Sequence, residues 1–113
     1  MALSGDTEPK DDEFCRGIRR DIIEVGAAKN DANATIRKIK EAIADAVNLL
    51  VQTRTELGTT TDPHSRRRLR SKVQRVERIR DQFRQKLNEQ SSILNELTSQ
   101  LKQFQLIAAS RGC

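Results

Sequence analysis

Residues 57–63 read Leu-Gly-Thr-Thr-Thr-Asp-Pro, and this stretch decides the fold. Gly58, directly after Leu57, suits the left-handed residue that closes many helices, because it has no Cβ to clash there. A threonine triplet follows, and then Asp62-Pro63. An aspartate at the N-cap accepts backbone N–H bonds of the first helical turn, and proline fits the first helical position, where its missing N–H is not needed. The stretch therefore ends one helix and starts the next within a few residues. A hinge this short makes the flanking helices antiparallel neighbours.

Upstream of the hinge, Ile18, Ile22, Val25, Lys29, Ala32, Ile36, Ile39, Ile43, Ala46 and Leu50 recur at alternating spacings of four and three, and Leu57 follows seven residues later. Downstream, Leu69, Val73, Val76, Arg80, Phe83, Leu87, Gln90, Leu94, Leu97, Leu101, Phe104 and Ala108 repeat the pattern. Such a repeat is a heptad seam, one apolar stripe that seeks another helix. Polar residues at Lys29, Arg80 and Gln90 interrupt it; they either set register or lie at the edge of the bundle with their charged ends in water. The run GAAKNDANAT (26–35) holds Gly26, Asn30, Asp31 and Asn33, poor helix formers, and predicts a kink or restart near Asn30. Ser91-Ser92 is a weaker interruption, because the repeat keeps its phase across it.

The expected fold is all-α, an antiparallel bundle of long amphipathic helices. It is either a three-helix up-and-down bundle, with the third helix made by a fold-back near Asn30, or a long two-helix hairpin that dimerises. Residues 1–11 are expected as a disordered tail, 12–109 as the helical domain and 110–113 as a second tail. Asp11-Asp12-Glu13 reads as the helix start, since acidic side chains favour the positive end of the helix dipole. The core is expected at Ile36, Ile39, Ile43, Leu50, Leu57, Leu69, Val73, Val76, Phe83, Leu87, Leu94, Leu97 and Leu101.

Composition narrows the function classes. In 113 residues, 33% are charged and 3% aromatic, with no Trp or Tyr, so aliphatic seams rather than a ring-filled core must hold the chain. Cys15 and Cys113 sit near opposite termini without metal-ligand spacing, which argues against zinc or a disulfide framework and for a reducing, cytosolic setting. The acidic, polar start MALSGDTEPKDDE is no secretory signal, and no apolar run approaches the roughly 20 residues of a membrane span. His64 has no Cys or second His beside it and reads as a loop residue. No nucleophile, paired carboxylate cleft or glycine-rich phosphate loop is present. The expectation is a protein that is not an enzyme, with no cofactor, no metal and no small-molecule substrate.

The charge is uneven. Residues 58–113 carry twelve basic and five acidic side chains, against nine and eleven in residues 1–57. Arg66, Arg67, Arg68, Arg70, Lys72, Arg75, Arg78 and Arg80 make a basic cluster that is either a solvated face or a surface for anionic lipid, an acidic helix or phosphate backbone. Their positions spread charge around the helix, which predicts weak, sequence-independent binding. No aromatic platform accompanies them, which argues against nucleic acid.

Ile36, Ile43, Leu50, Leu57-Gly58-Thr59, Asp62 and Leu69-Arg70 together resemble the N-terminal regulatory domain of syntaxins of the endosomal and vacuolar branch. The match covers about a third of the chain. Leu69-Arg70 comes a few residues later than that pattern has it, and a further helical stretch precedes Ile36. The resemblance implies a helical domain of a membrane-fusion protein, which folds against a fusion helix (a SNARE motif) or recruits a trafficking regulator on the cytosolic face of endosomal or vacuolar membranes. The alternatives are a coiled-coil subunit of a multi-protein complex, including a homodimer, and a nucleic-acid or anionic-membrane binder acting through the arginine cluster.

Overall fold

In the computed structural model, residues 3–113 are described as backbone and residues 12–113 with their side chains. Two helices account for nearly all of it: α1, Leu3–Thr59, and α2, Pro63–Ser110. The chain is an all-α antiparallel helical hairpin. The start expected at Asp11-Asp12-Glu13 lies inside α1, and the tail expected over residues 1–11 falls on positions whose side chains lie outside the described residues.

No break occurs at Asn30, because α1 is continuous through residues 26–35, and the described residues therefore supply no third helix. The physical reason is compensation. Ala27, Ala28, Ala32 and Ala34, the best helix formers, alternate with the Asn and Asp residues, whose individual penalties are fractions of a kcal/mol. Ala32 is also buried in the seam, which ties that turn down by packing. At Ser91-Ser92, too, α2 runs on without interruption.

The hairpin divides into two compact units, Ala34–Ser91 and a second built from Met1–Asn33 with Ser92–Cys113. The first contains the hinge. Its core is small: Ala46, Leu50 and Val76 are buried, with Val73 packed against them. Thr53 is buried beside Leu50 in the same stripe of α1, and its hydroxyl donates to the Leu49 carbonyl at 2.7 Å, so the polar atom enters the apolar interior already satisfied. Arg54 and Glu77 bridge the two helices at 3.6 Å across an exposed edge, a pair that adds little.

In the second unit Cys15, Ile18 and Ala32 are buried on α1, and Leu94, Leu97, Leu101, Phe104 and Ala108 are half-buried on α2. Here the cysteine reading is overturned. Cys15 and Cys113 form a disulfide, with Cα atoms 5.4 Å apart and a sequence separation of 98. Residues 110–113 are correspondingly no loose tail. Gly112 takes a left-handed φ of 74°, its N–H reaches the Ala109 carbonyl at 3.2 Å, and the Cys113 N–H reaches the Ala108 carbonyl at 2.8 Å. This pair of bonds is a Schellman cap, and it turns Cys113 back along the helix. Next to the disulfide, the Arg111 guanidinium lies over the Phe14 ring at 4.4 Å. Since disulfides persist mainly in oxidising compartments, the pairing removes the ground for a reducing setting. Among the described residues no helix is long and apolar enough to cross a membrane.

Candidate functional site

The hinge closes differently from the sequence expectation. Gly58 is not left-handed; it lies within α1, which continues to Thr59. Termination instead uses polar side chains. The Glu56 carbonyl accepts the Thr60 N–H at 3.0 Å and the Thr60 hydroxyl at 2.7 Å, with the Thr59 hydroxyl at 3.1 Å. One guanidinium nitrogen of Arg66 donates to the carbonyls of Leu57 at 2.8 Å and Thr60 at 2.9 Å. A cation on the last carbonyls of α1 opposes the negative end of its dipole and satisfies groups that a helix end leaves bare.

On the other side of the hinge, Asp62 and Pro63 occupy the N-cap and first positions of α2, as the sequence predicts. The Asp62 carboxylate accepts the Ser65 N–H at 2.9 Å and the Ser65 hydroxyl at 2.8 Å, while its own carbonyl accepts the Arg66 N–H at 2.9 Å. The bond from the Ser65 backbone, then that from its hydroxyl, hold the Asp62 pKa below the ordinary carboxylate value, with Arg68 adding a smaller Coulombic pull. His64, expected in a loop, is the second residue of α2 and exposed.

These contacts fix the walls of a groove of about 670 Å³. Glu56 and Thr60 form one side; His64, Ser65, Arg67, Arg68, Leu69, Ser71, Lys72 and Arg75 form the other. The eight clustered cations thus part company. Arg66 is half-buried as a cap, Arg67, Arg68, Lys72 and Arg75 line the groove, and Arg70 and Arg78 are exposed outside it. Arg80 folds onto Asp81, with two bonds at 3.0 Å. The cluster as a whole is spread around α2, and four of its cations line one groove. Arg68, Lys72 and Arg75, at spacings of four and three, share one face of α2, and Arg67 lines the groove from the adjacent side of the helix.

The expected seam residues all lie on the packed side. Ile36, Ile39, Leu50 and Val76 are buried; Ile43, Leu57, Leu69, Val73, Phe83, Leu87, Leu94, Leu97 and Leu101 are half-buried. Lys29, Arg80 and Gln90 are half-buried as well. Sequence reasoning missed Thr53, although it lies three residues after Leu50 and four before Leu57, because its hydroxyl disguised a seam position. Among the described residues there is no group of three or more His, Cys, Asp or Glu side chains able to hold a metal ion. Comparison of the chain with protein-family models, curated proteins and solved structures gives no match.

Proposed function

We propose that this chain is a helix-binding module, a hairpin that completes its core with an amphipathic helix from another chain. The observation that carries the reading is the incomplete burial of α2. Val76 alone is buried along it, while the rest of its apolar seam is half-covered and Ile79 is 46% exposed. On α1, Val47 and Val51 stand one turn apart at 37% and 58% exposure. Two helices leave each other's stripes open at the sides, and a third or fourth helix is what closes them in bundles. Exposed apolar side chains in a row are also the usual landing strip for a partner helix.

A syntaxin-like role in membrane fusion is the more specific form of this proposal, with a fusion helix or a trafficking regulator as the partner. It rests on the residues from Ile36 to Leu69. The rival reading, a coiled-coil scaffold subunit, puts a second copy of the chain on the same stripe.

The test pairs mass with binding. Sedimentation over a range of concentrations reports self-association, and titration with a leucine-heptad peptide reports helix capture. The expected result is capture of the peptide by a monomeric hairpin, abolished in Val47→Lys/Val51→Lys with the melting temperature unchanged. A stable dimer lost in the same variant turns the reading into the scaffold. A monomer that binds no amphipathic helix overturns both.

A further inference from the structure

We propose that the groove at the hinge is a binding site for a compact ligand carrying several clustered phosphate monoesters, either the headgroup of a lipid or a free polyphosphate compound. The groove shares Leu69 with the seam of α2 but contains none of Val47, Val51 or Ile79, and its proposed ligand does not depend on a partner helix.

The fold leaves cations of the groove outside ion pairs, with Arg68 exerting a small Coulombic pull on Asp62. Among the described residues, Arg54, Arg80 and Arg84 are in ion pairs and Arg66 serves backbone carbonyls, whereas Arg67, Arg68, Lys72 and Arg75 are in none. All four line one concavity together with His64, against a single acidic lining residue, Glu56. Four like charges held within about two turns of helix repel one another, so a multivalent anion placed among them gains more than a single carboxylate does. A phosphate monoester carries nearly two charges at neutral pH and three acceptor oxygens, which suits forked guanidinium donors. The Ser71 hydroxyl lies in the groove and has no hydrogen-bond partner among the described residues, which leaves it as a further donor.

Size and chemistry exclude other occupants. A volume of about 670 Å³ matches a small ligand rather than a protein segment. No Phe, Tyr or Trp lines the groove, so it offers nothing on which a nucleobase could stack. Leu69 is its one large apolar side chain and is half-buried, so no wedge enters a bilayer and attraction to a membrane would have to come from the headgroup.

The intact, disulfide-bonded chain is titrated calorimetrically with inositol hexakisphosphate. It is tested separately for sedimentation with phosphatidylcholine vesicles containing phosphatidylinositol bisphosphate, and with vesicles containing phosphatidylserine instead. Arg67→Glu/Arg75→Glu removes two groove cations at exposed positions, and Arg37→Glu/Lys40→Glu makes the same charge change elsewhere; melts confirm that both fold. Binding of the soluble probe that weakens about tenfold per groove cation removed, and is little changed in the control pair, supports the site. Binding also to the bisphosphate vesicles, and not to the phosphatidylserine ones, identifies a headgroup; binding to the soluble probe alone identifies a free compound. Equal loss in both variants, competition by poly-glutamate or duplex DNA at matched charge, or no binding at low salt overturns it.

Discussion

The two units of the hairpin solve one problem by different means. Each is a pair of helices too thin to exclude water well, so each needs something beyond apolar burial. The unit Ala34–Ser91 has the hinge, where chain connectivity makes association local and capping groups finish both helix ends. The unit containing the termini has no connection of its own and is closed by Cys15–Cys113 instead. Where the loop is short its closure entropy is small; where the sequence separation is 98, a covalent bond removes a large part of the unfolded chain's freedom.

Breaking that bond is the strongest test of the contrast. For a loop of about 100 residues, the chain-entropy account puts the loss near 4 to 5 kcal/mol, comparable with the whole stability of a small domain. Reduction, or Cys15→Ala, should lower the melting temperature more than any single change at the hinge. Amide exchange should accelerate first in residues 12–33 and 92–110, with the unit around Leu50 protected longest. Uniform acceleration would show that the two units do not differ in this way.

The second test strikes the hinge unit where it has most to lose. Leu50 is 2% exposed and central to the buried cluster with Ala46 and Val76. Leu50→Ala should cost about 3 kcal/mol, whereas Arg37→Ala, on the exposed side, should stay within about 0.5 kcal/mol. Urea melts of both variants decide it, and equal losses would place the seam on the wrong face.

A third prediction separates Arg66 from its neighbours. Because its guanidinium holds the Leu57 carbonyl in the last turn of α1 and the Thr60 carbonyl in the hinge, Arg66→Ala should cost about 2 kcal/mol, and Arg67→Ala close to none. Arg66→Lys should recover much of the loss, since a single nitrogen, Nη1, serves both oxygens and an ammonium also carries more than one N–H donor.

These positions show why part of the molecule was legible and part was not. Periodicity registers apolar side chains one at a time, so the seams from Ile36 to Leu57 and from Leu69 to Leu101 could be read directly. Asp62-Pro63 was readable because capping is local. The Cys15–Cys113 bond was hidden because pairing two residues so far apart needs the register of the whole hairpin, and nothing near either cysteine carries that. Arg66 was hidden among identical neighbours, since which arginine meets the carbonyls depends on the path of the hinge. The fold-back near Asn30 failed because weak propensities were weighed without the alanines between them.

The two glycines offer a milder comparison of the helix ends. A Cβ at Gly58 meets nothing within 4 Å, and its backbone is helical; a Cβ at Gly112 is equally unhindered, but its φ of 74° is left-handed. Gly58→Ala should therefore stabilise by about 0.5 to 1 kcal/mol, and Gly112→Ala should destabilise by about 1 kcal/mol. Opposite signs in thermal melts would confirm that α1 and α2 end by different devices. A loss at Gly58 would return it to the role of a left-handed cap.

The smallest effect is the pH response of the hinge cap. Asp62 has a folded pKa below its ordinary value because the ionised carboxylate accepts the Ser65 N–H and then the Ser65 hydroxyl. A depressed carboxylate contributes stability that is present above its unfolded value, at about pH 4, and is lost as pH falls through the lower folded value. An asparagine caps a helix as well as an aspartate and cannot titrate, so Asp62→Asn isolates this contribution from that of the other carboxylates. The difference in melting temperature between the two proteins should be flat from neutral pH to about pH 5, then move against the native chain below about pH 4. Ser65→Ala should raise the Asp62 pKa only part of the way, since the backbone N–H, the larger cause, stays in place. Carbon-detected NMR titration of the Asp62 carboxyl reads this directly. A full return to the ordinary value in Ser65→Ala would make the hydroxyl, not the N-terminal backbone of α2, the group that holds the cap.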